Sequence, residues 1–155
     1  MAFYQFIRSQ NLPVCMDRVW DFISAPANLQ RITPPYMGFE ITNEDLPSVI
    51  YPGLIITYKV KPLLGLKMTW VTEITHVEEG SFFVDEQRVG PYTMWHHQHR
   101  IQPIPGGVKM DDIVSYVPPF GMLGALAHPF LIRKKLREIF EFRNTALEQV
   151  FGRFE

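Results

Sequence analysis

The stretch FLIRKKLREIFEFRNTALEQVF, Phe130 to Phe151, decides the fold when it is set against the residues before it. Ile132, Leu136, Ile139, Phe140, Leu147, Val150 and Phe151 recur at helical spacing with charges between them, which predicts one long amphipathic helix with Pro129 at or near its first turn. Just upstream, Val108 to Val117 (VKMDDIVSYV) runs with period two, the signature of a strand. The same period runs back through Thr93–Gln102, Ser81–Val89, Met68–Thr75, Ile56–Lys61 and Phe39–Thr42. Breaks fall at Pro52-Gly53, Leu64-Gly65, Glu79-Gly80, Gly90-Pro91 and Gly106-Gly107. Short strands divided by Gly/Pro turns predict an antiparallel meander.

Further back, Asp17 stands as an N-cap ahead of Val19, Trp20, Phe22 and Ile23, predicting a short helix that ends near Ala25-Pro26. A second short helix over Ala27–Ile32 is stopped by Thr33-Pro34-Pro35. Ala2–Asn11 is β-prone. The expected order is strand, two short helices, six strands, long helix. Gly121–Ala127 is a short helical lead-in. That order predicts an α+β fold in which a curved antiparallel sheet wraps one long C-terminal helix. Sheet and helix meet at their edges and stand apart in the middle, leaving a cavity.

With no linker, low-complexity segment or repeat, residues 1–155 read as a single domain. Aromatics make up 14% of the chain, enough large rigid side chains to line such a cavity. The net charge of −1, with no basic run longer than Arg133-Lys134-Lys135, argues against a nucleic-acid partner. The single cysteine, Cys15, has no internal partner and no zinc-type cluster around it, and it reads as a small buried or half-buried hydrophobe. No apolar run reaches membrane-spanning length and Met1–Gln10 has no signal-peptide pattern, so a cytoplasmic setting is expected. No phosphate loop, nucleophile elbow or zinc-finger spacing is present, and no cofactor is expected. Gly121-Met122-Leu123-Gly124 lacks the lysine of a phosphate loop.

Ile32-Thr33-Pro34-Pro35, Met37-Gly38-Phe39, Asp85-Glu86-Gln87, Gly90-Pro91-Tyr92 and Trp95-x-His97-x-His99 resemble the SRPBCC ligand-binding proteins. So do Gly106-Gly107, Asp112, Tyr116-x-Pro118 with Phe120-Gly121, and Ile139-Phe140 with Arg143. These proteins form a bacterial branch of the START/birch-pollen-allergen superfamily, with members labelled polyketide cyclase/dehydrase-like or cell division inhibitor-like. The resemblance implies a helix-grip fold and a ligand cavity. It brings no catalytic residue list.

Trp95, His97, His99 and Ile101 share one strand face; Met94, His96, Gln98 and Arg100, the wetter set, share the other. A three-residue loop at Gly90-Pro91-Tyr92 places Asp85 opposite His97 and Gln87 opposite Trp95, whereas a two-residue loop flips that register. Asp112, on the next strand with Val114 and Tyr116, reaches the neighbourhood of His99. The cluster His97, His99, Asp85 and Asp112 supports three readings. It is a mutually satisfied buried network, or a set of polar anchors or acid–base groups in an apolar pocket, or a two-His, one-carboxylate metal site. No metal is expected, because His-x-His is common by chance.

Arg143, four residues from Ile139 and from Leu147, either snorkels to an edge or anchors an acidic ligand. The predicted cavity lining is Trp70, Phe83, Trp95, His97, His99, Tyr116, Phe140 and Arg143, with Tyr92 a structural turn residue. The expected partner is a small hydrophobic molecule of lipid, polyketide or aromatic class, and a homodimer is left open. Binding is the leading function. The alternatives are a cyclase, dehydratase or hydrolase using the His–carboxylate pairs, and a regulator that meets a protein through Pro118-Pro119-Phe120-Gly121.

Overall fold

A computed structural model describes residues 2–62 and 64–155. Strand β1, Tyr4–Leu12, leads to helix α1, Met16–Ile23, then to 3-10 segments at Pro26–Ile32 and Pro35–Met37. Strands β2 Glu40–Ile41, β3 Ile55–Val60, β4 Met68–Glu78, β5 Phe82–Val89, β6 Met94–Ile104 and β7 Gly107–Val117 follow. Helix α2, Gly121–Ala127, runs through a π turn at His128–Ile132 into α3, Arg133–Phe151.

The sheet order is β1-β7-β6-β5-β4-β3-β2, and every pair is antiparallel. Each strand from β2 to β7 therefore pairs with the next, as the turn spacing predicts, and β1 covers the remaining edge of β7. Register shifts between Val71 and Thr72 and between Ile74 and His76 interrupt the β4–β5 ladder. Such bulges bend a sheet, and this one is curved in the manner of a helix-grip fold. At the β6–β7 turn a side chain on Gly107 would collide with the Leu12 carbonyl, so only glycine lets β1 pass that corner.

The core lies between the sheet and the two main helices. Phe6 and Phe140 meet with centroids 5.1 Å apart, Trp20 and Phe83 edge-on at 6.3 Å, and Phe22 and Phe151 edge-on at 5.4 Å. From α3, Leu136, Phe140, Ala146, Leu147 and Phe151 are buried, and each large side chain among them contributes roughly 1.5–3 kcal/mol.

Local boundaries differ from expectation in three places. Cys15, not Asp17, caps α1; Asp17 sits in the first turn, where its charge suits the helix dipole. Cys15 is exposed rather than buried, because the N-cap precedes the face that α1 turns inward. The long helix begins at Arg133 instead of Phe130, because a π turn at His128–Ile132 joins it to the expected lead-in at Gly121–Ala127.

Candidate functional site

Strands β4, β5 and β6 aim alternate side chains at α3. Trp70, Thr72 and Ile74 point inward from β4, as do Phe83 from β5 and His97, His99 and Ile101 from β6, all of them buried. The β5–β6 register places Asp85 opposite His97 and Phe83 opposite His99, and β6–β7 places Asp112 opposite His99. The Gln87–Trp95 pair does not form. Instead the Gln87 amide turns to the loop, donating to the Tyr92 carbonyl at 2.7 Å and accepting from the Tyr92 N–H at 3.1 Å.

The side-chain bonds run diagonally across this ladder. His97 Nε2 donates to Asp112 Oδ1 at 2.8 Å, and His99 Nε2 donates to Asp85 Oδ2 at 2.5 Å. The directly opposed contacts are longer: His97 Nδ1 to Asp85 Oδ2 is 3.5 Å and His99 Nδ1 to Asp112 Oδ1 is 3.3 Å. The imidazoles lie 3.7 Å apart, with Phe83 stacked on His99 and Phe140 edge-on to His97. Arg143, buried on α3 rather than snorkelled, donates from Nη2 to His99 Nδ1 at 3.2 Å and stands 3.5 Å from Asp112 Oδ1.

These contacts set the charges. Burial works against ionising Asp112, but Arg143 and the bonds from His97 and His99 overcome it and hold the carboxyl well below its usual range. Asp85 is likewise held low, against burial, by His97, His99 and Arg143. Burial and the neighbouring His99 push the His97 pKa down, so this ring favours neutrality. Burial opposes the His99 cation too, yet its bonds to Asp112 and Asp85 raise its pKa. While Nδ1 accepts from Arg143 the ring is neutral. On protonation Nδ1 becomes a donor, and Asp112 is the acceptor within reach.

The cluster forms part of the wall of a cavity of about 170 Å³ between sheet and α3. Trp70, Phe83, Trp95, His97, His99, Phe140 and Arg143 line it, together with Asp85. Asp112 stands behind the wall. Tyr116 is a correction: although it shares the Asp112 strand face, it lies outside this cavity, its hydroxyl bonded to His128 Nε2 at 2.6 Å beneath the π turn.

Sequence reasoning missed Tyr58, Thr72 and Tyr92 on the wall, whereas Leu136 and Ile139 come from the inner face of α3, and Phe22, Ile23 and the 3-10 segment close one end, as the element order implies. Tyr58 and Thr72 were readable, since they follow the same period-two faces as the residues chosen; their hydroxyls bond to each other at 3.0 Å. Tyr92 gave no such signal, because a turn residue has no face until the loop is folded.

Among the described residues, two buried donors have no partner: Trp70 Nε1 on the sheet side and Arg143 Nε on the helix side. Both residues line the cavity. An unmatched buried N–H costs about 1–3 kcal/mol, and an acceptor arriving with a ligand would relieve it. Ligand atoms of Asp85, His97 and His99 also lie within 4.8 Å of one another, the donor set of a two-His, one-carboxylate metal site. The guanidinium of Arg143 beside His99 opposes a cation there.

A family model described as polyketide cyclase/dehydrase and lipid transport matches residues 12–142. The chain belongs to this family. Solved structures share the polyketide cyclase/dehydrase-type fold of the chain at low identity. A protein of Chromobacterium violaceum superposes with a TM-score of 0.70 at 13% identity, over 97% of this chain and 99% of that one. A protein of Mycobacterium smegmatis gives 0.66 at 17%, over 94% and 92%. Ara h 8.0201 gives 0.61 at 12%, over 96% and 99%. At such identities the likeness is one of fold. Among curated proteins, none matches the chain. The polyketide cyclase/dehydrase and lipid-transport family and the helix-grip fold together support a ligand-binding cavity.

Proposed function

We propose that the chain binds one compact, largely apolar molecule that carries a hydrogen-bond acceptor, in the cavity between sheet and α3. The observation that carries this reading is a cavity walled by aromatic side chains whose lining includes Trp70 and Arg143, two residues with a buried N–H that has no partner among the described residues. A volume of about 170 Å³ falls below the roughly 300–1,000 Å³ typical of drug-sized ligands. It favours a small aromatic or short-chain molecule over a whole phospholipid. The aromatic wall of Tyr58, Trp70, Tyr92 and Trp95 suits a flat apolar body, and Arg143 suits a carbonyl or carboxylate end.

The deciding experiment is native mass spectrometry of untagged protein, followed by displacement of an apolar fluorescent dye with a series of small aromatic and short-chain acids and their esters. Saturable one-to-one displacement supports the reading. Failure of dye and every competitor to bind overturns it.

A second reading, acid–base catalysis of the cyclase or dehydratase kind, draws on one arrangement. His97 is in the wall, is held neutral, and has its Nε2 fixed by Asp112 from behind, which is how a carboxylate orients a general base. The cavity wall contains no Ser or Cys among the described residues, so a hydrolase built on a covalent nucleophile of that type gains no support. The regulator reading loses part of its surface, because Pro118 and Pro119 are buried and leave Phe120 and Gly121 as the exposed part of that segment.

A further inference from the structure

The segment that joins the sheet to α3 is apolar on its outside. Phe120, Met122, Leu123, Leu126 and Phe130 are between 73% and 86% exposed. Positions 122, 123 and 126 fall at i, i+1 and i+4 and share one face of α2, and Phe130 follows in the π turn. Single exposed apolar residues are ordinary, whereas a contiguous set of large ones marks a contact surface.

This face is not a loose end. His128 holds its inner side to the sheet, stacked on Tyr4 at 3.5 Å and bonded to the Tyr116 hydroxyl. Ile132 is buried in the core, and Gly124 passes so close to the Pro119 carbonyl that no side chain fits there. The outer face is thus presented on a fixed support.

Its surroundings name the occupant. From Phe120 to Arg137 the sequence has no Asp or Glu, yet it ends in Arg133, Lys134, Lys135 and Arg137. Lys135 is engaged with Glu138 and with the Tyr36 ring. Arg133, Lys134 and Arg137 have no ion-pair partner among the described residues. Arg133 and Arg137, with Arg8, also line a cleft beside β1 in which Glu141 is the only carboxylate among the described residues. In a chain of net charge −1, this is a local excess of positive charge. A second copy of the chain would match the apolar face but bring the same cations. An anionic bilayer matches both: acyl chains for the apolar face, headgroup phosphates for the cations.

We propose that the chain docks peripherally on anionic lipid membranes, with Met122, Leu123, Leu126 and Phe130 inserted at the interface and Arg133, Lys134 and Arg137 on the headgroups. This surface is separate from the cavity, so the proposal stands or falls independently of the cavity's ligand.

The test is co-sedimentation with vesicles of phosphatidylcholine alone and of phosphatidylcholine mixed with phosphatidylglycerol. Wild-type protein should bind the mixed vesicles, and added salt should weaken that binding. Leu123→Glu with Leu126→Glu should lower binding by at least about tenfold. Arg133→Glu with Arg137→Glu should do so on the mixed vesicles, given roughly fivefold per cation removed. All four positions are exposed, so unfolding is not expected; unchanged melting temperature and unchanged dye binding in the cavity verify that. The proposal is overturned if wild-type protein leaves both vesicle types in the supernatant, or if either double variant sediments like wild type. It is equally overturned if sedimentation velocity shows a dimer that Leu123→Glu with Leu126→Glu dissociates while vesicles bind nothing, since a second copy would then cover the face.

Discussion

His97 stands opposite Asp85 in the β5–β6 ladder but donates its short hydrogen bond to Asp112, on the strand at its other side. The diagonal links three strands through one imidazole and leaves Asp85 to His99. It also divides the carboxylates by position, with Asp85 at the cavity wall and Asp112 behind it.

Asp112 should therefore act on stability first. Asp112→Asn retains the shape and one acceptor but removes the charge that answers Arg143 and both imidazoles, and it should cost about 1–3 kcal/mol. Denaturant melts measure this. Dye affinity of the folded fraction should stay within about twofold of wild type, because Asp112 does not line the cavity. A large loss of affinity with unchanged stability would place Asp112 in the site itself.

The pH dependence follows from the directions of the shifts. Asp85 and Asp112 titrate lower in the fold than the usual value of about 3.9. Their stabilisation is complete above that value and is lost as pH falls through the folded values, because the unfolded chain takes up protons first. His97, lowered from about 6.5, has the same sign: stability is lost on acidification from that point. His99, raised, has the opposite sign: its contribution is full below about 6.5 and fades as pH rises through its folded value. From neutral pH to about 5 the two histidines act in opposite directions, with His128, lowered by burial and by Arg133, on the side of His97, and Tm should drop steeply below about 4 as the carboxylates protonate. Between pH 7 and 5, His97→Gln should gain Tm on acidification and His99→Gln should lose it. Circular dichroism melts across that range decide the matter, and equal slopes in the two variants would refute the assignment.

Trp70→Phe tests the orphan donor. It retains most of the ring while removing the unpartnered N–H, so the free protein should be as stable as wild type or slightly more stable. Affinity for ligands with an acceptor should fall by roughly tenfold, the worth of about one hydrogen bond, while purely apolar dyes bind as before. Equal loss for both ligand types would mean that the indole acts by packing alone. Trp95→Ala, which opens the wall, should weaken both.

Elemental analysis of untagged protein should find no stoichiometric metal. Ligation through His99 Nε2 would put a proton on Nδ1 and end its acceptance from Arg143 3.2 Å away, leaving the guanidinium cation unanswered there beside the metal. Stoichiometric zinc, iron or nickel would show that Arg143 moves aside and would bring metal chemistry into the cavity.

The sequence alone determined the element order, the antiparallel meander and the gripping helix, because hydrophobic period reports which face of an element meets the core. Period two also put His97, His99, Asp85 and Asp112 on facing sides, but the turn at Gly90-Pro91-Tyr92 left two registers open, and the folded β5–β6 ladder places Asp85 opposite His97. Only the tertiary structure decided the rest. Which carboxylate pairs with which imidazole depends on side-chain rotamers and on strand twist across three strands. Tyr92 joins the wall and Tyr116 leaves it because loop closure and the π turn at His128–Ile132 set their positions, and neither has a period to read. Arg143 shows the division most plainly. Its place beside the apolar stripe was legible, but the choice between reaching water and staying buried was made by Asp112 and His99, residues far away in sequence that supply the partners a buried guanidinium requires.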